Sequence, residues 1–118
     1  MRKRMLCLAA IAACLGLVLT GCIYFGNIRP IAVFTATPDH GNSPLNVAFD
    51  ASGSSDTDGL IETYYWNFGD GQTASLTIAT TNHVFTVQSV SKVFTVILKV
   101  TDNLGGTDTA IGNIAIDP

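Results

Sequence analysis

One stretch constrains this chain more than any other: Tyr64-Tyr65-Trp66-Asn67-Phe68-Gly69-Asp70-Gly71-Gln72. Side chains alternate between the faces of an extended strand, so Tyr64, Trp66 and Phe68 fall on one side. Gly69-Asp70-Gly71 follows at once, and Asp-Gly accepts the positive φ of a tight hairpin. The largest apolar anchors therefore stand at the end of a strand that immediately reverses. In that setting Asp70 is expected to accept N–H bonds from its own turn. A general acid would need a second carboxyl facing it across a cleft, and a small sandwich offers no evident one.

The rest of the chain follows the same grammar. From Pro30 onward, short runs alternate apolar and polar residues between turn signals, and no helix-period segment of useful length occurs. Strands are predicted over 31–36, 45–51, 60–68, 72–79, 82–85, 93–102 and 107–116. Loops fall at 37–44 and 52–59, and turns at 88–91 and 103–106. Leu45, Val47, Phe49 and Ala51 should share an inner face, as should Phe94, Val96, Leu98 and Val100. Glu62 has the parity of Trp66, so it lies beyond the core edge or is turned out by a bulge. In the last strand the alternation shifts phase near Gly112, as a bulge would cause. Seven or eight strands suffice for one antiparallel sandwich or barrel, with no residues left for a second domain.

The N-terminus reads differently. Arg2-Lys3-Arg4 precede an apolar run over 5–19, which Leu19-Thr20-Gly21-Cys22 closes. A membrane span needs roughly 20 apolar residues, and these flanks are those of a secretory signal. Leu-Thr-Gly-Cys resembles the bacterial lipobox, which implies that Cys22 is lipidated and becomes the mature N-terminus. The chain then divides into a signal peptide (1–21), a tether (22–29) and a β domain (30–118). Cys7 and Cys14 would leave with the leader, so no intramolecular disulfide is expected, and acylation would remove the one remaining thiol. The mature chain would keep Arg29, Lys92 and Lys99 against nine acids, a net charge of −6. So acidic a surface excludes a phosphate backbone as partner.

The segment from Asp50 to Gly71, with Asp56-Thr57-Asp58-Gly59 and Trp66-Asn67-Phe68-Gly69-Asp70-Gly71 within it, resembles the signature of the PKD (polycystic kidney disease) domain. His83-Val84-Phe85 and the run from Phe94 to Asn103 are similar to that family's later strands. The resemblance implies an all-β, immunoglobulin-like antiparallel sandwich. Three departures stand out: Asn67 where the family usually has Asp, Val87–Ser91 in place of a Pro-Gly turn, and Phe94 where the family usually has Tyr. The last removes a tyrosine-corner hydroxyl bond.

The loop at 52–59 is dense in oxygen atoms. In an immunoglobulin-like topology it meets the turn before the last strand, so Asp56 and Asp58 would approach Asp102, beside backbone carbonyls near Arg29. Calcium wants six to eight oxygens, carboxylates among them, and some PKD domains of secreted proteases bind calcium with such loops. The alternative is that these aspartates only hydrogen-bond their own loop. The twelfth position from Asp56 is Asn67, not Glu, which excludes an EF-hand. No cofactor is required beyond such a structural ion. His40 and His83 read as structural or solvated, with no metal-binding spacing around them. Nucleophile elbow, phosphate loop and cysteine nucleophile are all missing, so no enzyme activity is expected. Tyr65 and Ile97 are outward-facing candidates for a small binding patch.

The expected function is a lipid-anchored module at the bacterial cell envelope that engages a surface or periplasmic protein or a glycan. Ile23 after Cys22 is not the Asp of inner-membrane retention, so the address is the outer membrane if the source has two membranes. The alternative is an accessory module that presents collagen-like protein or polysaccharide to a secreted hydrolase.

Overall fold

The computed structural model describes residues 4–9 and 20–118, with side chains from residue 26 onward. Two strands, β1 (Arg4–Ala9) and β2 (Thr20–Phe25), pair antiparallel with Cys7 opposite Cys22. They lie in the stretch the sequence reads as leader and tether. The centre of its apolar run falls outside the described residues, as does Cys14.

Eight further strands form two sheets: β3 (Thr35–Thr37), β4 (His40–Asn42), β5 (Leu45–Asp50), β6 (Ile61–Asn67), β7 (Thr73–Leu76), β8 (Thr80–Phe85), β9 (Lys92–Asp102) and β10 (Thr107–Asp117). The order is β4-β10-β9-β6-β7 in one sheet and β3-β5-β8 in the other. No helix occurs among the described residues. The sequence-derived fold class, an immunoglobulin-like β-sandwich, is the observed one.

The core is built from the expected faces. Val47, Phe49 and Ala51 meet Phe94, Val96, Leu98 and Val100, all buried, and Trp66 is fully enclosed. The Trp66 ring lies 5.3 Å from both Phe34 and Phe49, at angles that favour edge and tilted contacts. The turn after β6 has Gly69 and Gly71 at positive φ, 79° and 91°. Asn67 Oδ1 accepts the Gly69 N–H at 3.0 Å, so the Asn in place of the family's Asp still closes this turn. The register of β6 on β9 slips between Ile61 and Thr63. That bulge turns Glu62 into solvent and leaves Trp66 facing inward.

Four sequence expectations are corrected. β10 pairs with β9 without a register break through Gly112, opposite Val96. The shifted phase has another cause: Ile111 faces out at 68 % exposure, while Gly112 shares the inward face of Ile114 and Ile116, where the Phe34 ring lies 2.8 Å from where a Cβ would stand. The loop predicted at 37–44 contains β4, which runs parallel to the end of β10; this pairing is made by backbone groups, which leave no side-chain period. The strand predicted over 31–36 shrinks to Thr35–Thr37. Ahead of it, Ile31 bridges Ser55 and Val33 exchanges bonds with the Ser54 hydroxyl at 2.9 and 2.8 Å, so side chains replace a ladder. The strand predicted over 72–79 ends at Leu76, where the chain crosses to the other sheet.

Candidate metal centre

The β5–β6 loop and the β9–β10 turn lie together at one end of the sandwich, where the N-terminal segment also passes. Asp102 ends β9 and is 1 % exposed. Its Oδ1 accepts from the N–H groups of Leu104 (2.9 Å) and Gly106 (2.7 Å), and its Oδ2 from Asn27 Nδ2 (2.7 Å). Charge-assisted bonds of this kind are about twice as strong as neutral ones. At Gly106 a Cβ would stand 2.5 Å from Asn27 Nδ2 and 2.7 Å from Asp102 Oδ2, so a larger residue there would displace the bond between them. The two loops are also joined directly: Asn103 N–H donates to the Leu60 carbonyl at 2.9 Å, and Leu60 N–H to Asn103 Oδ1 at 3.2 Å.

Against this frame stand Asp56 and Asp58. The Ile28 N–H donates to Asp58 Oδ2 at 3.0 Å. Oxygens of Asp56, Asp58 and Asp102 lie within 4.8 Å of one another, and among the described residues this is the one grouping of three or more potential ligand side chains at such spacing. Both Asp56 oxygens and Asn27 Oδ1 are shielded from water without a hydrogen-bond donor. Burial pushes the Asp56 carboxyl above its usual range, and the neighbouring Asp58 and then Asp102 add to the rise. Carboxylates held this close raise one another's proton affinity unless a cation sits between them. Three carboxylates at this spacing, with a neutral amide oxygen on the neighbouring Asn27, suit a hard divalent ion. The sequence brought the three aspartates together correctly but missed Asn27, which is 75 positions from its partner Asp102 and carries no local signal. Where carbonyls near Arg29 were expected, the segment contributes the Asn27 side chain and the Ile28 N–H.

A model of the PKD domain family matches residues 27–116, which takes in the whole sandwich and Asn27. The chain belongs to the PKD domain family. Solved structures agree. The PKD1 domain from the Vibrio cholerae metalloprotease PrtV is 33 % identical with a TM-score of 0.62, over 77 % of this chain and 100 % of that one. The PKD1 domain of Vibrio anguillarum Epp is 28 % identical with a TM-score of 0.60, over 77 % and 96 %. A structure described as the basis for promiscuous specificity of carbohydrate-binding modules from the β-sandwich superfamily is 36 % identical with a TM-score of 0.70. It is matched over 76 % of this chain but only 35 % of its own length. PKD domains and β-sandwich modules of this kind are non-catalytic.

At the far end of β6 the PKD signature residues do structural work. Asp70 Oδ1 accepts the Gln72 N–H at 3.0 Å, as expected, while Oδ2 lies 2.6 Å from His83 Nε2. The His83 ring stacks on Phe68 at 3.9 Å, so the histidine that read as structural ties the turn to β8. His40 is exposed, 2.7 Å from Asp39. Tyr65 and Ile97 both face the outer surface of the larger sheet, Tyr65 at 39 % exposure. Cys22 lies in β2.

Proposed function

We propose that the chain is a membrane-anchored lipoprotein that displays one PKD domain for interaction with a protein or a carbohydrate at the bacterial cell envelope. The observation that carries this reading is the adjacency of two features: a PKD sandwich at 27–116 directly behind a basic, then apolar, leader ending in Leu19-Thr20-Gly21-Cys22. Two or more acyl signals suffice for stable anchoring, since each buried methylene contributes about 0.8 kcal/mol. The likeness to carbohydrate-binding modules supports a glycan as partner. With Ile23 after the cysteine, the outer membrane is the address in a two-membrane source. Cross-linking on intact cells tests the reading: a defined adduct with one envelope protein or with cell-wall glycan is expected, and a chain that forms none contradicts it.

A second reading is favoured by the two protease-borne PKD1 domains among its structural relatives. In it, the domain presents collagen-like protein or polysaccharide to a secreted hydrolase. Retention on insoluble collagen or polysaccharide, with no cellular adduct, selects it.

In either case Asp56, Asp58 and Asp102, with Asn27, would hold a structural calcium ion. The ion would neutralise carboxylates that now repel and would clamp the loops on both sides of the N-terminal segment. A ligand bound only by the fold stabilises it by about 2.7 kcal/mol at 100 times its Kd. Calcium should therefore raise Tm by several degrees and EDTA reverse it; an unchanged Tm removes the ion from the account.

A further inference from the structure

The other long side of the sandwich carries an unprotected strand edge. β8 is the last strand of its sheet. The Ala51 N–H donates to the Ala79 carbonyl at 2.9 Å, and the same register continues through Phe49↔Thr81, Val47↔His83 and Leu45↔Phe85. In an antiparallel pair, hydrogen-bonded and non-bonded positions alternate. The odd-numbered residues of β8 therefore spend their backbone groups on β5, while those of Thr80, Asn82 and Val84 point away from the sheet.

Natural sheets blunt such edges with charges, proline or bulges. Here residues 71–91 contain no Asp, Glu, Lys, Arg or Pro, and β8 pairs through its whole length without a register slip. The chemistry of a free N–H and C=O row prescribes its occupant: another extended strand. The charge pattern narrows the choice. The acids of this chain lie outside 71–91, so two copies can meet on this edge without placing like charges opposite each other. The segment is also compatible with a two-fold axis through Asn82, which sets Thr80 of one copy against Val84 of the other.

We propose that two copies of this chain associate through β8, antiparallel and centred on Asn82, joining two three-stranded sheets into one of six. The contact is isologous and therefore closes at two. It goes beyond the envelope function above and does not depend on the identity of that partner.

The test uses the whole chain in mild detergent. Sedimentation should give two chains per particle, moving toward one on dilution. Asn82→Cys should form a disulfide-linked dimer under mild oxidation, because opposed residues in a bonded pair are about 5.5 Å apart between Cα atoms. Thr80→Cys and Val84→Cys should each cross-link poorly alone and efficiently when mixed. Asn82→Pro removes an outward N–H that β5 does not use, so it should yield single chains that stay folded by circular dichroism. A chain that stays single at every concentration overturns the proposal, as does an Asn82→Pro variant that still pairs. Cross-linking of Asn82→Cys no faster than Ser52→Cys, or occupation of the edge only by a foreign strand, overturns it equally.

Discussion

Asp102 accepts from two N–H groups of its own turn and from Asn27, so it fixes the last turn and the start of the domain at once. Asp102→Ala takes the acceptor from three donors, the Gly106 N–H buried and the other two part-buried, and a buried donor left unmet costs about 1–3 kcal/mol; chemical denaturation should show a loss of several kcal/mol even in EDTA. Asp56 behaves in the opposite sense. Its carboxyl is held above the ordinary 3.8 by burial first and then by Asp58 and Asp102, so the metal-free fold favours the protonated form. The resulting penalty is absent below the unfolded value and grows as pH rises through the folded one. Asp56→Asn should therefore raise Tm in EDTA at pH 7, with the gain fading toward pH 3.8, and should abolish any calcium-dependent rise. A variant less stable than the parent in EDTA at pH 7 would contradict the assigned charge repulsion.

Among the elements, β9 was legible because Phe94, Val96, Leu98 and Val100 alternate without exception and all are buried. β10 was legible as a strand over 107–116 but was misread as bulged near Gly112, because a large residue faces water and a small one faces the core. The pattern of apolar residues records size and burial together, and at Gly112 the space is filled by Phe34 from another segment. Gly112→Val should lower Tm by an overpacking cost of about 1–3 kcal/mol, whereas Ile111→Thr, on the exposed face, should change stability by under about 0.5 kcal/mol. Equal effects in a melting series would refute the orientation of β10. β4 escaped detection for a different reason: three residues paired by backbone alone leave no period to read. The link from Asp70 to His83 was half legible. The turn needed an acceptor, which Asp70 supplies, but nothing local shows that its second oxygen meets β8.

For the molecule as a whole, the two ends of β6 divide the structure. One end gathers acids around a site suited to a cation, and the other is a hydrogen-bonded turn locked to β8 by an aromatic stack. Between them Trp66 joins the sheets, so Trp66→Ala, which typically costs 3–5 kcal/mol at a buried site, should remove much or all of the roughly 5–15 kcal/mol that holds a small domain folded; near-native circular dichroism and Tm would be incompatible with its place at the centre of the core. The aspartate triad could be anticipated because its loops flank recognisable strands, while Asn27 could not, since only the folded chain brings it to Asp102. Lipid anchoring of this sandwich through Cys22 is the central proposal. Mass spectrometry of the protein extracted from membranes measures that directly. It should find Cys22 as the first residue, carrying a diacylglyceryl thioether, and a chain that begins elsewhere or bears an unmodified Cys22 would contradict it.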